Sequence, residues 1–389
     1  MVDMKILFTA TPLIGHVYPM LPLMHAARDA GHEVVMATGA EMIDDVRRRG
    51  FTTWTVGPSF GQAATDLIQA NRDSGVSPGE SMAQDAIHLF AQPSVLRALD
   101  LIPRAAAWEP DLVVSEITEF AGREAALATG ALPITHGFGT HVPRTHEFAA
   151  LIFAHVSAGL GMPNRQSVFE TSPYLDPCPP GLQSDELAGL DVRPIRPSAG
   201  LVVPGDRLPQ QFQALPDRPI VYVTLGTVVN DPDLACSVLD AIEDLPVSIA
   251  LTTGPGVDPA VLGPRPANVA VAEFVPQALL LPYVSAVVSH TGSGTMLGAL
   301  ASGLPQVCLP RGADQFANAD RIRAAGAGVR LLPEEVSPES LRQAVRAVLY
   351  DDTYAQSAKA LQAEIAAMPD ATQVLADLVE LAAPPVLTV

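Results

Sequence analysis

Residues 286–315 read AVVSHTGSGTMLGALASGLPQVCLPRGADQ, and the interpretation of this stretch decides the fold. A buried strand (286–289) passes through a glycine-rich turn (291–294) into a short helix (295–302), a second apolar strand (306–309) and a polar loop closing on Asp314-Gln315. A strand that feeds through glycines into a helix directs unpaired backbone N–H groups and the positive end of the helix dipole at one point. That geometry suits a phosphate, so a nucleotide-type ligand is expected here. Two other readings stay open. Gly292, Gly294 and Gly298 form G-x-G-x-x-x-G, and Arg311 near the end of the next strand is placed to meet the 2′-phosphate of NADP. Alternatively, the glycines serve only a tight turn and close helix packing.

Working outward, a chain of 389 residues exceeds what one hydrophobic core spans, so two domains are expected. Hydrophobic residues at 48% and charged residues at 17% mark a globular, core-rich chain. The 23 basic residues against 42 acidic ones leave a net charge of −19, a field that repels nucleic acid and anionic membrane. An anionic ligand must therefore be held by helix ends and a few placed donors. Cys178, Cys236 and Cys308 are far apart and form no CxxC, so buried free thiols are expected rather than disulfides or zinc. The chain enters an apolar strand at Lys5 without a basic leader, and no apolar run reaches membrane-spanning length. A soluble cytoplasmic protein, monomer or homodimer, is expected.

The N-terminal half has a βαβ rhythm: strands at 5–10, 33–37, 52–56, 111–115 and 133–137, and helices stopped by Gly31, Gly50 and Gly130. Its first turn carries Gly15-His16 where a dinucleotide site would carry glycines. A histidine at the carboxyl end of the first strand of an open α/β sheet lies at the usual ligand crevice, and Glu116 ends the fourth strand on the same edge. The stretch 57–107 is irregular, with helices at 80–91 and 95–106. From Phe138 the chain reads as loop-rich, and His136, His141, His146 and His155 fit no metal template, so they are read as pocket-lining or surface. Proline density over 169–219 predicts a crossing between domains rather than helix or interior strand.

The second half repeats the rhythm, with strands at 220–225, 247–252 and 269–272 and the Gly226-Thr227 turn, and closes in helices at 338–350, 353–368 and 373–383. The expected architecture is α/β: two Rossmann-like, doubly wound parallel-sheet domains facing a central cleft. The expected boundaries are 1–204 for the first domain, 205–218 for the linker, 219–370 for the second domain, and 371–389 for a terminal helix and tail available to pack back on the first. Asp231-Pro232-Asp233 matches a metal-binding D-x-D, but the proline and following helix explain it as a cap, so no metal is expected.

Phe274-Val275-Pro276-Gln277, then Ser289–Thr295 (SHTGSGT), Gly303-Leu304-Pro305 and Asp314-Gln315 follow one another as in the donor signature of the GT-B nucleotide-sugar-dependent glycosyltransferases. Nearly the whole chain resembles that family, in its actinomycete branch that decorates macrolides, enediynes and related aglycones. The resemblance implies that Val275 and Gln277 lie in the loop holding the base, that His290 contacts the pyrophosphate, and that Gly292, Gly294 and Thr295 form the phosphate-binding helix start. Gly226 and Thr227 join them as donor contacts, and Asp314 and Gln315 read sugar hydroxyls. The N-terminal domain would bind a hydrophobic acceptor, with His16 as general base and Glu116 orienting it, in an inverting, metal-independent transfer. An imidazole of unperturbed pKa about 6.5 suits that proton transfer.

Relatives using UDP-glucose carry an acidic residue where this chain has Gly298, and many plant relatives carry an aromatic residue where it has Ser293. The first departure implies a dTDP-linked deoxysugar donor as co-substrate, with no other cofactor, and the second argues against the plant branch. A sugar-nucleotide epimerase, an NADP oxidoreductase and a catalytically silent binder remain as alternatives. Tyr350 and Tyr354 each lack the lysine four residues on that a Tyr-x-x-x-Lys oxidoreductase pair needs.

Overall fold

The computed structural model describes residues 3–75, 82–141, 145–164, 170, 172–184, 187–200, 202–226 and 232–382. Two parallel sheets organise the chain. The first contains β1 (Lys5–Thr9), β2 (Glu33–Thr38), β3 (Thr52–Thr55), β4 (Leu112–Glu116), β5 (Leu132–His136), β6 (Tyr174–Asp176) and β7 (Val192–Pro194), in the order β3-β2-β1-β4-β5-β6-β7. The second contains β8 (Ile220–Thr224), β9 (Ser248–Thr252), β10 (Val269–Ala272), β11 (Val284–Ser289), β12 (Gln306–Cys308) and β13 (Gly328–Arg330), in the order β10-β9-β8-β11-β12-β13. Strands covered by helices on both faces become near-continuous apolar runs, as in KILFT and IVYVT. The two α/β sheets are Rossmann-like, as the sequence rhythm predicts.

In each sheet the winding direction reverses between the first and fourth strands, at β1/β4 and at β8/β11. Leu7 pairs with Val113 across the first reversal, and Val223 with Val288 across the second. Ligands of open α/β sheets bind beyond the carboxyl ends of strands at such points.

By contacts, the described residues of 1–177, 185–195 and 369–389 form one compact unit, and those of 178–184 and 196–368 form another. Residues 205–218, which the sequence suggests as a linker, lie within the second unit, where Phe212 is buried with Tyr222 and Leu280. The last described helix, Ala371–Ala382, packs in the first unit against the helix Leu21–Asp29. Among the described residues no helix is long and apolar enough to cross a membrane.

Three local expectations need correction. The supposed loop after Phe138 contains the helix Thr145–Gly159. Its Ala, Leu and Phe residues favour helix, and Phe153 meets Phe120 edge-on at 4.8 Å; histidines mixed into such a segment do not break it. Of the histidines read as pocket-lining or surface, His136 and His141 are 1% and 2% exposed, which leaves only the first reading for these two. The proline-dense segment supplies two strands, one of them interior, because the paired stretch Tyr174–Asp176 is itself proline-free, while Pro194 sits on the edge strand β7 where no ladder donor is needed. The irregular region also holds the helix Phe60–Ser74, capped by the Ser59 hydroxyl on the Gln62 N–H and stopped by left-handed Gly75.

Gly122 lets the helix Ala121–Thr129 lie directly on the reversal point, since a Cβ there would collide with the hydroxyls of Thr9 and Ser115 on β1 and β4. Gly122→Ala is expected to cost about 1–3 kcal/mol by overpacking, read as a lower urea midpoint. His136, at the end of β5, is pushed down to about 4 by burial, against upward effects of the Gly137 carbonyl and Glu116. The unfolded chain takes up this proton below about pH 6.5, whereas the native state resists until about 4. Stability attributable to His136 is therefore intact above pH 6.5 and falls by on the order of 3 kcal/mol as the pH drops to 4. Unfolding free energies at pH 7 and 4.5 should differ less in His136→Gln than in the parent.

Candidate functional site

In the first unit, β1 runs into a single helical turn, Ile14–Val17, which carries His16. Because β4 pairs directly with β1, its last residue, Glu116, emerges beside that turn. His16 Nδ1 lies 3.0 Å from Glu116 Oε2; the histidine side chain is 16% exposed and the glutamate 0%. Thr118 completes the carboxylate's shell, its N–H donating to Oε1 and its hydroxyl to Oε2, each at 2.8 Å. Burial alone would raise the Glu116 pKa, but the charge and hydrogen bond of His16, with the two bonds from Thr118, hold it below the usual carboxylate range. The glutamate is thus an anion at neutral pH, and a carboxylate on Nδ1 leaves Nε2 as the basic nitrogen. Phe138 packs on the imidazole at 4.9 Å between ring centroids.

A buried ionic layer supports this pair. Glu119 receives Arg97 Nη1 at 3.1 Å and caps the N–H groups of Ala121 and Gly122 at 3.0 Å each. Arg123 Nη2 donates to Thr135, and burial lowers its pKa to about 10, offset by the charges of Glu119, Glu116 and Glu124. It therefore remains a cation near the Glu116 carboxylate.

In the second unit, His290 follows β11 and sits over the turn after β8. Gly226 has φ +116°, and a Cβ there would lie 3.4 Å from the imidazole. A Cβ on Gly292 would come within 2.5 Å of His290 Nε2. Gly292 thus leaves the space the ring occupies, while Gly226 is required by its positive φ. Thr291 adopts a left-handed conformation, φ +63°, with its N–H held by Ser289 Oγ at 3.0 Å. The helix Ser293–Ala301 then begins. Met296 is the first residue to bond back, to the Gly292 carbonyl, so the N–H groups of Ser293, Gly294 and Thr295 point forward from the helix start. A Cβ on Gly294 would meet nothing within 4 Å, so the space before these donors is open. Burial lowers the His290 pKa, partly countered by Asp314 and by the Thr224 backbone. A neutral imidazole and a helix N-terminus are groups of the kind that can hold an anion.

Gln277 Nε2 donates to Thr295 Oγ1 at 2.9 Å, tying the Val275–Gln277 loop to the helix start. The Val275 side chain is buried in the core, so this residue offers a ligand only its backbone, while the neighbouring Phe274 is 43% exposed. Asp314 Oδ2 accepts from Ser293 Oγ at 2.6 Å and from Asn318 Nδ2 at 2.9 Å, which aligns the carboxylate with the helix start. Gln315 Oε1 accepts from the N–H groups of Arg311 and Gly312 at 2.8 and 3.1 Å, closing the loop before it. Gly298 has a packing reason for its size, since a Cβ would lie 3.3 Å from Ala199 Cα and from Gln277 Oε1. Thr227 and Asp231 lie outside the described residues.

The fold thus brings His16 to Glu116 in one unit, and His290, Gly226, Gly292, Gly294, Thr295, Gln277, Asp314 and Gln315 together in the other. Sequence reasoning missed Thr118 and Asn318. The first lies two residues beyond Glu116, within reach of a local side-chain turn, and the second lies four beyond Asp314 on a helix; both spacings were readable signals. Among the described residues no group of three His, Cys, Asp or Glu is placed to hold a metal. Of the cysteines, Cys178 and Cys308 are buried and Cys236 is half-buried, and none is in a disulfide.

Residues 237–381 match the family model described as Erythromycin biosynthesis protein CIII-like, C-terminal domain. The chain is 32% identical over 337 residues to an L-demethylnoviosyl transferase of Streptomyces niveus, covering 84% of this chain and 85% of that protein. It is 30% identical over 411 residues to a tylactone mycaminosyltransferase of Streptomyces fradiae, covering 94% and 90% of the two chains. Among solved structures, the glycosyltransferase VinC in complex with dTDP superposes with a TM-score of 0.78 at 26% identity, covering 97% of this chain and 99% of that one. Relatives this similar along most of both chains, together with two parallel sheets of this order, show that the chain belongs to the glycosyltransferases of actinomycete antibiotic biosynthesis, with the GT-B fold.

Proposed function

We propose that this protein is an inverting glycosyltransferase that moves a deoxysugar from a dTDP-linked donor to a hydroxyl of a hydrophobic natural-product aglycone. The 3.0 Å contact between His16 Nδ1 and the buried Glu116 carboxylate carries the reading. An acceptor hydroxyl attacking the anomeric carbon loses its proton to His16 Nε2, and Glu116 stabilises the resulting imidazolium. The first unit is therefore assigned the acceptor and the second the donor. As the bond to the anomeric carbon breaks, charge grows on the departing diphosphate. The N–H groups at Ser293–Thr295 and the imidazole of His290 offset that charge without a metal. Direct attack with no covalent sugar–enzyme intermediate inverts the anomeric centre.

Two observations support a deoxynucleotide. Gly298 supplies no acceptor for a ribose 2′-hydroxyl, and its packing against Ala199 and Gln277 leaves little room for one. A structural relative was crystallised with dTDP. The backbone of the Val275–Gln277 loop would hold the base, and Asp314 and Gln315 would read the sugar hydroxyls.

In transfer from a dTDP-linked hexose to 4-methylumbelliferone, a phenolic probe acceptor, His16→Ala is expected to lower kcat/KM by about 10²–10⁴-fold. The same variant should keep the rise in Tm that dTDP produces in the parent, since the donor side is untouched. Full turnover by His16→Ala contradicts the assignment, as does a parent protein whose Tm rises with NADPH but not with dTDP.

A further inference from the structure

Thr118 touches both members of the His16–Glu116 pair. Its hydroxyl donates to Glu116 Oε2 at 2.8 Å and lies 3.2 Å from His16 Nδ1 and 3.1 Å from Thr11 Oγ1. Its N–H holds the other carboxylate oxygen at 2.8 Å. A hydroxyl has one proton and two lone pairs. With that proton on Glu116, Oγ1 can only accept from its remaining neighbours, so Thr11 donates to it and Nδ1 faces two acceptors, Oε2 and Oγ1. An imidazole nitrogen between two acceptors must carry a proton, and the ring's lone pair is then on Nε2.

We propose that Thr118 is a positioning residue of the dyad: by committing its only hydroxyl proton to Glu116, it fixes His16 as the Nδ1–H tautomer and holds Nε2 ready to accept a proton. The inference rests on the assignment of His16 as base and Glu116 as its partner. It adds that an anionic glutamate is not the sole device, because a neutral donor shares the carboxylate's charge and a second acceptor orients the ring. Removing the hydroxyl takes a donor from Glu116, which favours the imidazolium, and an acceptor from Nδ1–H, which disfavours it; the 2.8 Å bond to a charged carboxylate outweighs the neutral contact at 3.2 Å, so the imidazolium is better stabilised. The histidine should then titrate at higher pH.

The charged and titratable groups described around the pair are buried. His136 on β5, in register with Glu116, stays neutral down to about 4. Arg123, on the helix Ala121–Thr129, keeps its charge up to about 10, and Glu119 is held by Arg97. Phe138 covers another side of the ring without a charge.

The test is a pH series of long-range ¹H–¹⁵N spectra of the ¹⁵N-labelled full chain, with the His16 signals assigned by their loss in His16→Gln. The parent should show the Nδ1–H tautomer. Thr118→Val should raise the His16 midpoint by about 0.5–1 pH unit, a shift of the size one lost hydrogen bond produces, and Thr118→Ser should restore the parent value. An Nε2–H tautomer in the parent overturns the proposal, and so does a Thr118→Val midpoint equal to that of the parent. Where the valine variant does not fold, Thr118→Ala, which also lacks the hydroxyl, is read in the same way. No substrate is used, so a failure here is distinct from failure of the catalytic assignment, which His16→Ala tests by transfer.

Discussion

Parallel pairing across the two reversal points, β1 with β4 and β8 with β11, is the constraint on which both half-sites depend. Residues far apart in sequence, such as His16 and Glu116, leave neighbouring strands at the same edge because those strands run in one direction and in fixed register. The same rule places His290 above Gly226. Two copies of one topological device thus carry two different chemistries. In the first, the turn after β1 presents an imidazole to a buried carboxylate. In the second, glycines clear space for an imidazole beside a helix start.

The electrostatic design differs between the units in a way that suits those tasks. Glu116 and Arg123 keep opposite charges inside the first unit, and hydrogen bonds rather than water stabilise them. A carboxylate so held can raise the basicity of a neighbouring histidine without being neutralised itself. In the second unit the burial of His290 favours its neutral form, so the ring can donate a hydrogen bond to an anion while adding no fixed charge. A protein of net charge −19 attracts no anion at long range, and such local donors are the means by which it can hold a diphosphate.

Much of this was legible in the sequence because it rests on short apolar runs bounded by glycine and proline. The runs at 5–10, 220–225 and 286–289 could hardly be anything but buried strands, and the glycine turn before residue 295 pointed to the start of a helix. What was hidden depended on side chains acting against local composition. The helix Thr145–Gly159 was obscured by its histidines, and β6 by the prolines that flank it. Thr118 and Asn318 were missed for another reason: their spacing from Glu116 and Asp314 allows a local contact, but only geometry shows which oxygen each one meets. Gly298 illustrates the converse, since a residue singled out for the ligand group it lacks also has a reason to be small in the packing around it.

The central claim is that one displacement, driven by the His16–Glu116 pair, joins acceptor oxygen to the anomeric carbon. It is tested most directly by the configuration of the product. The anomeric signal of the glycoside formed from a dTDP-linked donor of known configuration should show inversion by ¹H NMR. A product of retained configuration would contradict the account, because retention needs an intermediate or a path that a single base and a departing diphosphate do not supply.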